Sequence, residues 1–108
     1  MNGFEFYTDV INIYREVDLK LNYKLNDLLK MINNKGAINA AKFIVKEDRD
    51  TYGLELLMKN GMEDLTIERL ILNEKYKKLF NDEDRELSRI RLKKYKNVEI
   101  ENKDSEEE

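Results

Sequence analysis

The sequence predicts an all-α chain, a single compact bundle of five or six short helices, and three observations predict it. There is no proline, so no residue deletes a helical hydrogen bond. Apolar residues recur at three- and four-residue steps along most of the chain, and no useful stretch shows the strict alternation of a strand. Two periodic runs end at a glycine, Gly36 and Gly61, where a left-handed residue stops a helix. With 108 residues, 41% hydrophobic and 40% charged, the composition is that of one water-soluble domain with a modest core, not a disordered chain.

The first helix is expected over residues 6–21, where Phe6, Val10, Ile13, Tyr14, Val17 and Leu21 share one face. After a polar break at Asn22, a second apolar set of Leu25, Leu28, Leu29 and Ile32 runs to the Gly36 stop. Residues 37–46 form a third helix with Ala37, Ala40, Ala41 and Ile44 inward, the alanines allowing close approach of a neighbour. Asp50 or Thr51 is placed to cap a fourth helix over about Tyr52–Asn60, ended by Gly61. Thr66 is the expected cap of the next helix, with Glu68 in its positive first turn. Tyr76, Leu79 and Phe80 belong to a short helical turn. Asn81 or Asp82 then caps a last helix, with Asp82, Glu83 and Asp84 at its start and Lys93, Lys94 and Lys96 near its end, in the order the helix dipole favours. The domain is thus expected over 1–96, followed by an acidic, disordered tail over 97–108.

Composition also removes chemistry. Without cysteine or histidine the chain lacks the usual soft-metal ligands, the thiol nucleophile and the common proton shuttle. Ser88 and Ser105 have no histidine to act as base. Asp48-Arg49-Asp50-Thr51-Tyr52-Gly53 begins like a calcium loop, but Tyr52 and Lys59 stand where ligands five and twelve belong. Carboxylate pairs such as Asp82 with Glu86 and Asp64 with Glu68 sit where helix capping accounts for them. The expectation is a non-catalytic protein with no cofactor and no bound metal. The absence of cysteine fits a reducing, cytoplasmic setting, the first ten residues have no signal-peptide pattern, and no apolar run is long enough for a membrane span.

Two features of the last helix bear on function. Leu87, Ser88, Arg91, Leu92 and Tyr95 form one stripe, so Arg91 lies within the apolar face and needs a carboxylate; Asp64 and Glu68 are the expected partners in a structural ion pair. On the other side Arg85, Arg89, Lys93 and Lys96 compose a basic stripe for a partner, with Lys75, Lys77 and Lys78 upstream. Ion pairs Asp82–Arg85 and Glu86–Arg89 are the structural alternative for that face. The acidic tail is expected to fold back and screen it weakly.

Gly36, Ala40 and Ala41, then Tyr52-Gly53, Gly61, Asp64-Leu65-Thr66-Ile67-Glu68, Tyr76 with Leu79 and Phe80, and Arg91-Leu92 with Tyr95 together resemble a short helical module of uncharacterised bacterial and phage proteins. The likeness covers Gly36 to Tyr95 and departs at Thr51-Tyr52-Gly53, where the module's turn has the reverse order. It implies an all-α fold and brings no catalytic residue. The net charge of −3 weighs against a dedicated DNA binder. The first functional expectation is therefore a protein-binding module, an inhibitor or accessory factor of a bacterial defence or mobile-element system. The second is a nucleic-acid-binding accessory using the basic stripe.

Overall fold

The computed structural model describes the backbone of residues 2–107 and the side chains of residues 3–96. Six helices follow one another: α1 (Asn2–Leu21), α2 (Asn26–Lys35), α3 (Ala37–Lys46), α4 (Leu54–Lys59), α5 (Ile67–Ile71) and α6 (Asp82–Glu107). Single 3-10 turns at Glu63–Leu65 and Glu74–Tyr76 flank α5. No strand occurs among the described residues, and the all-α bundle is as the sequence predicts.

Helix α1 starts four residues earlier than the apolar pattern places it, and buries Phe6, Val10, Ile13 and Val17. Asn22 ends it in the left-handed conformation (φ 52°), which asparagine tolerates, and Lys24 reaches back to Asp18 at 2.9 Å. A single residue, Gly36, joins α2 to α3. Its N–H donates to the Ile32 carbonyl at 2.8 Å and its own carbonyl accepts from Ala40 at 2.9 Å. With φ 85° and ψ 160°, Gly36 differs from the expected left-handed stop and occupies a region reserved almost wholly for glycine. The small residues Ala37, Ala40 and Ala41 are buried as expected, and α3 touches α1, α2, α5 and α6.

Helix α4 begins at Leu54, two residues later than the sequence predicts, because the carboxylate of Asp50 gathers the amides before it. Asp50 Oδ1 accepts from the N–H of Tyr52 (3.1 Å), Gly53 (2.8 Å) and Leu54 (2.8 Å), and Oδ2 from Glu55 (3.0 Å). The chain turns there at Gly53, whose φ is +127° and whose missing Cβ would lie 2.9 Å from Leu25 Cδ2. Gly61 (φ 69°) stops α4. Met62 N–H returns to Leu57 and Gly61 N–H to Met58, the paired bonds of a Schellman ending. Thr66 caps α5 by accepting from Arg69 N–H at 3.1 Å. Asn81 caps α6 by accepting from Asp84 N–H at 2.8 Å, while Asp84 accepts from Asn81 N–H at 3.3 Å in return.

The core runs through all six helices. At one end Phe6 meets Tyr76 edge-on with ring centres 5.1 Å apart, and the tilted ring of Phe80 also lies 5.1 Å from Phe6. The helix α6 continues past Lys96 to Glu107, so Lys93, Lys94 and Lys96 are mid-helix and not in its last turn. The backbone of residues 97–107, expected as a disordered tail, continues α6 as helix; the side chains of residues 97–108, and with them the expected contact of the acidic tail with the basic stripe, lie outside the described residues.

Burial carries a pH consequence. The hydroxyls of Tyr52, Tyr76 and Tyr95 are all held above the ordinary phenol range, first by burial and then by nearby carboxylates: Glu68 for Tyr52, Asp9 for Tyr76, Asp50 for Tyr95. Unfolded tyrosine ionises near pH 10. These three therefore contribute full stability below that pH and progressively less as pH rises through it. In an alkaline titration their tyrosinate absorbance is expected to appear together with the loss of helical circular dichroism. Ionisation of all six tyrosines in a fully helical protein would contradict the burial described here.

Candidate functional site

The interior holds a polar cluster built by α5, α6 and the loop between α3 and α4. Glu68, fully buried on the inner side of α5, accepts at Oε2 from Arg91 Nε at 2.6 Å and at Oε1 from the Tyr52 hydroxyl at 2.7 Å. That hydroxyl in turn accepts from the N–H of Ile67 at 2.9 Å. Arg91 Nη1 also donates to the carbonyls of Glu47 and Arg49, and Lys94 Nζ donates to Asp48 O at 2.9 Å. Three successive loop carbonyls are thus held by side chains of α6, and the next residue, Asp50, caps α4.

The expected pairing of Arg91 is therefore made with Glu68. Asp64 does not take part: it lies exposed in the 3-10 turn Glu63–Leu65, where the short turn points it away while Glu68, one helical turn on, faces α6. Tyr52 is the member that sequence reasoning missed.

Asp50 is the second polar centre. Burial alone would raise its carboxyl; the four amide donors outweigh that and hold it below the usual carboxylate range. A depressed pKa supplies stability above the unfolded value, near pH 4, that fades as pH falls through and below it. Replacing Asp50 with Ala is expected to cost about 2 kcal/mol, the upper end for a helix cap, because four amides lose one acceptor. Asp50→Asn should fall between, and its deficit against the wild type should shrink below pH 4 in acid-unfolding curves. A deficit independent of pH would mean that the charge contributes nothing.

The basic stripe is only partly on the surface. Arg89, Lys93 and Lys96 are exposed on α6, but Arg85 is 8% exposed. Arg85 shares the inward edge with Ser88 and Leu92, three and seven residues on, and it donates from Nη1 to the Ile71 carbonyl at the end of α5 and from Nη2 to Glu74 Oε2, both at 3.2 Å. It holds a helix C-terminus, a favourable place for a cation, and so leaves the partner-binding set. The expected Asp82–Arg85 pair is replaced by Arg85–Glu74, whereas Glu86–Arg89 forms at 2.9 Å. Lys75 is turned to α1, 3.3 Å from Asp9.

Exposed large apolar side chains occur at Tyr23, Phe43 and Ile90 and, on α1, at Phe4 (73% exposed), Tyr7 (45%) and Leu19 (78%). Phe4 and Tyr7 share one flank of α1 with the half-buried Ile11 and Tyr14, whereas Leu19 falls on another. A solvent-facing cavity of about 420 Å³ lies at the other end of that helix, lined by Asn22, Tyr23, Lys24, Asn26, Asp27 and Tyr52. Its lysine is tied to Asp18, and the Tyr52 hydroxyl is committed to Glu68.

No helix of the described residues is long and apolar enough to cross a membrane, and no cluster of metal-ligating side chains occurs among them. No family model, curated protein or solved structure matches this chain.

Proposed function

We propose that this chain is a non-catalytic protein-binding module and that the outward flank of α1 is its contact face. The observation that carries this reading is the run of Phe4, Tyr7, Ile11 and Tyr14 along one helix, two of them well exposed. Tyrosine and phenylalanine are enriched at interfaces, since each buries about 150–250 Å² on a rigid ring. The polar groups that chemistry would need are occupied in holding helices together: Glu68 by Arg91 and Tyr52, Asp50 by four amides, Ser88 by the Asp84 carbonyl. The finer reading, an inhibitor or accessory factor of a bacterial defence or mobile-element system, is supported by acidity and the resemblance of residues 36–95 to a bacterial and phage module.

Capture from host extract with the wild-type chain and a Phe4→Ser, Tyr7→Ser variant tests the face. The partner is expected on the first and to be lost on the second, with circular dichroism unchanged. Equal capture by both overturns the assignment. The nucleic-acid reading keeps Arg89, Lys93 and Lys96 but loses Arg85. Binding to single-stranded DNA that falls steeply with salt and survives the α1 changes would favour it instead.

A further inference from the structure

Helix α1 carries two apolar stripes. The first, Phe6, Val10, Ile13 and Val17, is buried in the core. The second is Phe4, Tyr7, Ile11, Tyr14, Asp18 and Leu21, spaced by alternating steps of three and four. That is the 3.5-residue repeat by which two helices keep one seam in contact, and on a helix of 3.6 residues per turn it lies about 100° around from the first stripe. Within the bundle α1 meets α3 and the two 3-10 turns, which leaves Phe4 largely in water, Tyr7 about half in water, and Ile11, Tyr14 and Leu21 partly covered by the core.

We infer that the second stripe is covered by α1 of another copy of this chain, laid antiparallel across a two-fold axis. The inference rests on the reading of α1 as the contact face and names its occupant. The single charge in the seam decides the geometry. A parallel, in-register pair would stack Asp18 on the Asp18 of its copy, like charge on like. The antiparallel register that overlaps the whole seam, about 26 Å of helix, sets Phe4 against Leu21, Ile11 against Tyr14, and Tyr7 against Asp18, each twice by symmetry. The outermost and the innermost of these three kinds of contact are apolar. In the third, the Tyr7 hydroxyl faces a carboxylate whose Oδ2 already holds Lys24, and a carboxylate accepts several donors. Arg15, the one basic residue on the first four turns of α1, flanks the seam and meets no cation in this register.

Sedimentation equilibrium across protein concentration tests the inference. The wild type is expected to approach twice the 13.0 kDa chain mass. Tyr7→Glu, which sets a carboxylate against Asp18, should raise the dimer dissociation constant by about tenfold or more, whereas Tyr7→Lys should stay within about threefold of the wild type. Since Tyr7 is half in water, both variants should keep the wild-type helical spectrum. A chain that stays monomeric at millimolar concentration, or equal weakening by Glu and Lys, overturns the self-pairing. The binding-face reading is judged separately: a monomeric chain that still loses its host partner on Phe4→Ser, Tyr7→Ser replaces the second copy with a different occupant, and one that does not loses both.

Discussion

Glu68→Ala and Arg91→Ala are each expected to cost about 3–5 kcal/mol, the penalty for stranding one member of a buried ion pair. Against a total of about 5–15 kcal/mol for a native domain, either change removes a large share of the stability. It should lower the melting temperature by on the order of 20 °C. With Glu68 gone, Arg91 keeps only loop carbonyls and the Tyr52 hydroxyl loses its acceptor. With Arg91 gone, Glu68 keeps only Tyr52, and the loop carbonyls of Glu47 and Arg49 lose a donor. Arg91→Met should cost less than Arg91→Ala, since it fills the space that Ala leaves empty. The double change Glu68→Met, Arg91→Met should cost less than the sum of the singles, because each single change includes the stranded charge of the other. Thermal unfolding of these four variants together with the single Glu68→Met decides this, and additive losses in the Met cycle would mean that the two residues are not coupled.

Tyr76→Ala is expected to cost about 3–5 kcal/mol as well, through a cavity at the Phe6–Phe80 end of the core. The hydroxyl is a small part of that. It donates to Asp9 Oδ2 at 2.5 Å, but the Asp9 side chain is partly in water and next to Lys75, so it rehydrates when the donor is removed. Tyr76→Phe should therefore cost about 1 kcal/mol. A denaturant series in which Phe is nearly as damaging as Ala would shift the weight from the ring to the Asp9 bond.

The ion pair of Arg91 was legible because an arginine amid Leu87, Ser88, Leu92 and Tyr95 has no inexpensive way to be buried alone. Which carboxylate it would meet was not legible, since Asp64 and Glu68 differ only by the 3-10 turn that separates their orientations. Tyr52 was hidden for a related reason. Its hydroxyl reaches Glu68 only because Asp50 delays the start of α4 to Leu54, and counting apolar steps reveals nothing of a carboxylate that binds four amides. Arg85 did carry a signal: Ser88 and Leu92, at three and seven residues beyond it, mark an inward edge. The α1 seam went unread because the apolar pattern started the helix at Phe6, and Phe4 joins Tyr7 and Ile11 only when the helix reaches back to Asn2.

The hold of Arg91 and Lys94 on the carbonyls of residues 47–49 joins points 42 to 46 residues apart. A ribosome adding roughly 5–20 residues per second makes those carbonyls about 2–9 s before their donors exist. Through that interval the loop is hydrated, Glu68, once made, is a carboxylate in water, and α4 and α5 have no α6 to lie against. Helices α1, α2 and α3 can already lie against one another, but the apolar sides of α3, α4 and α5 that α6 covers stay open until it arrives. Whatever shields those sides in the cell has its effect in those seconds, and a substitution that slows the docking of α6 lengthens them.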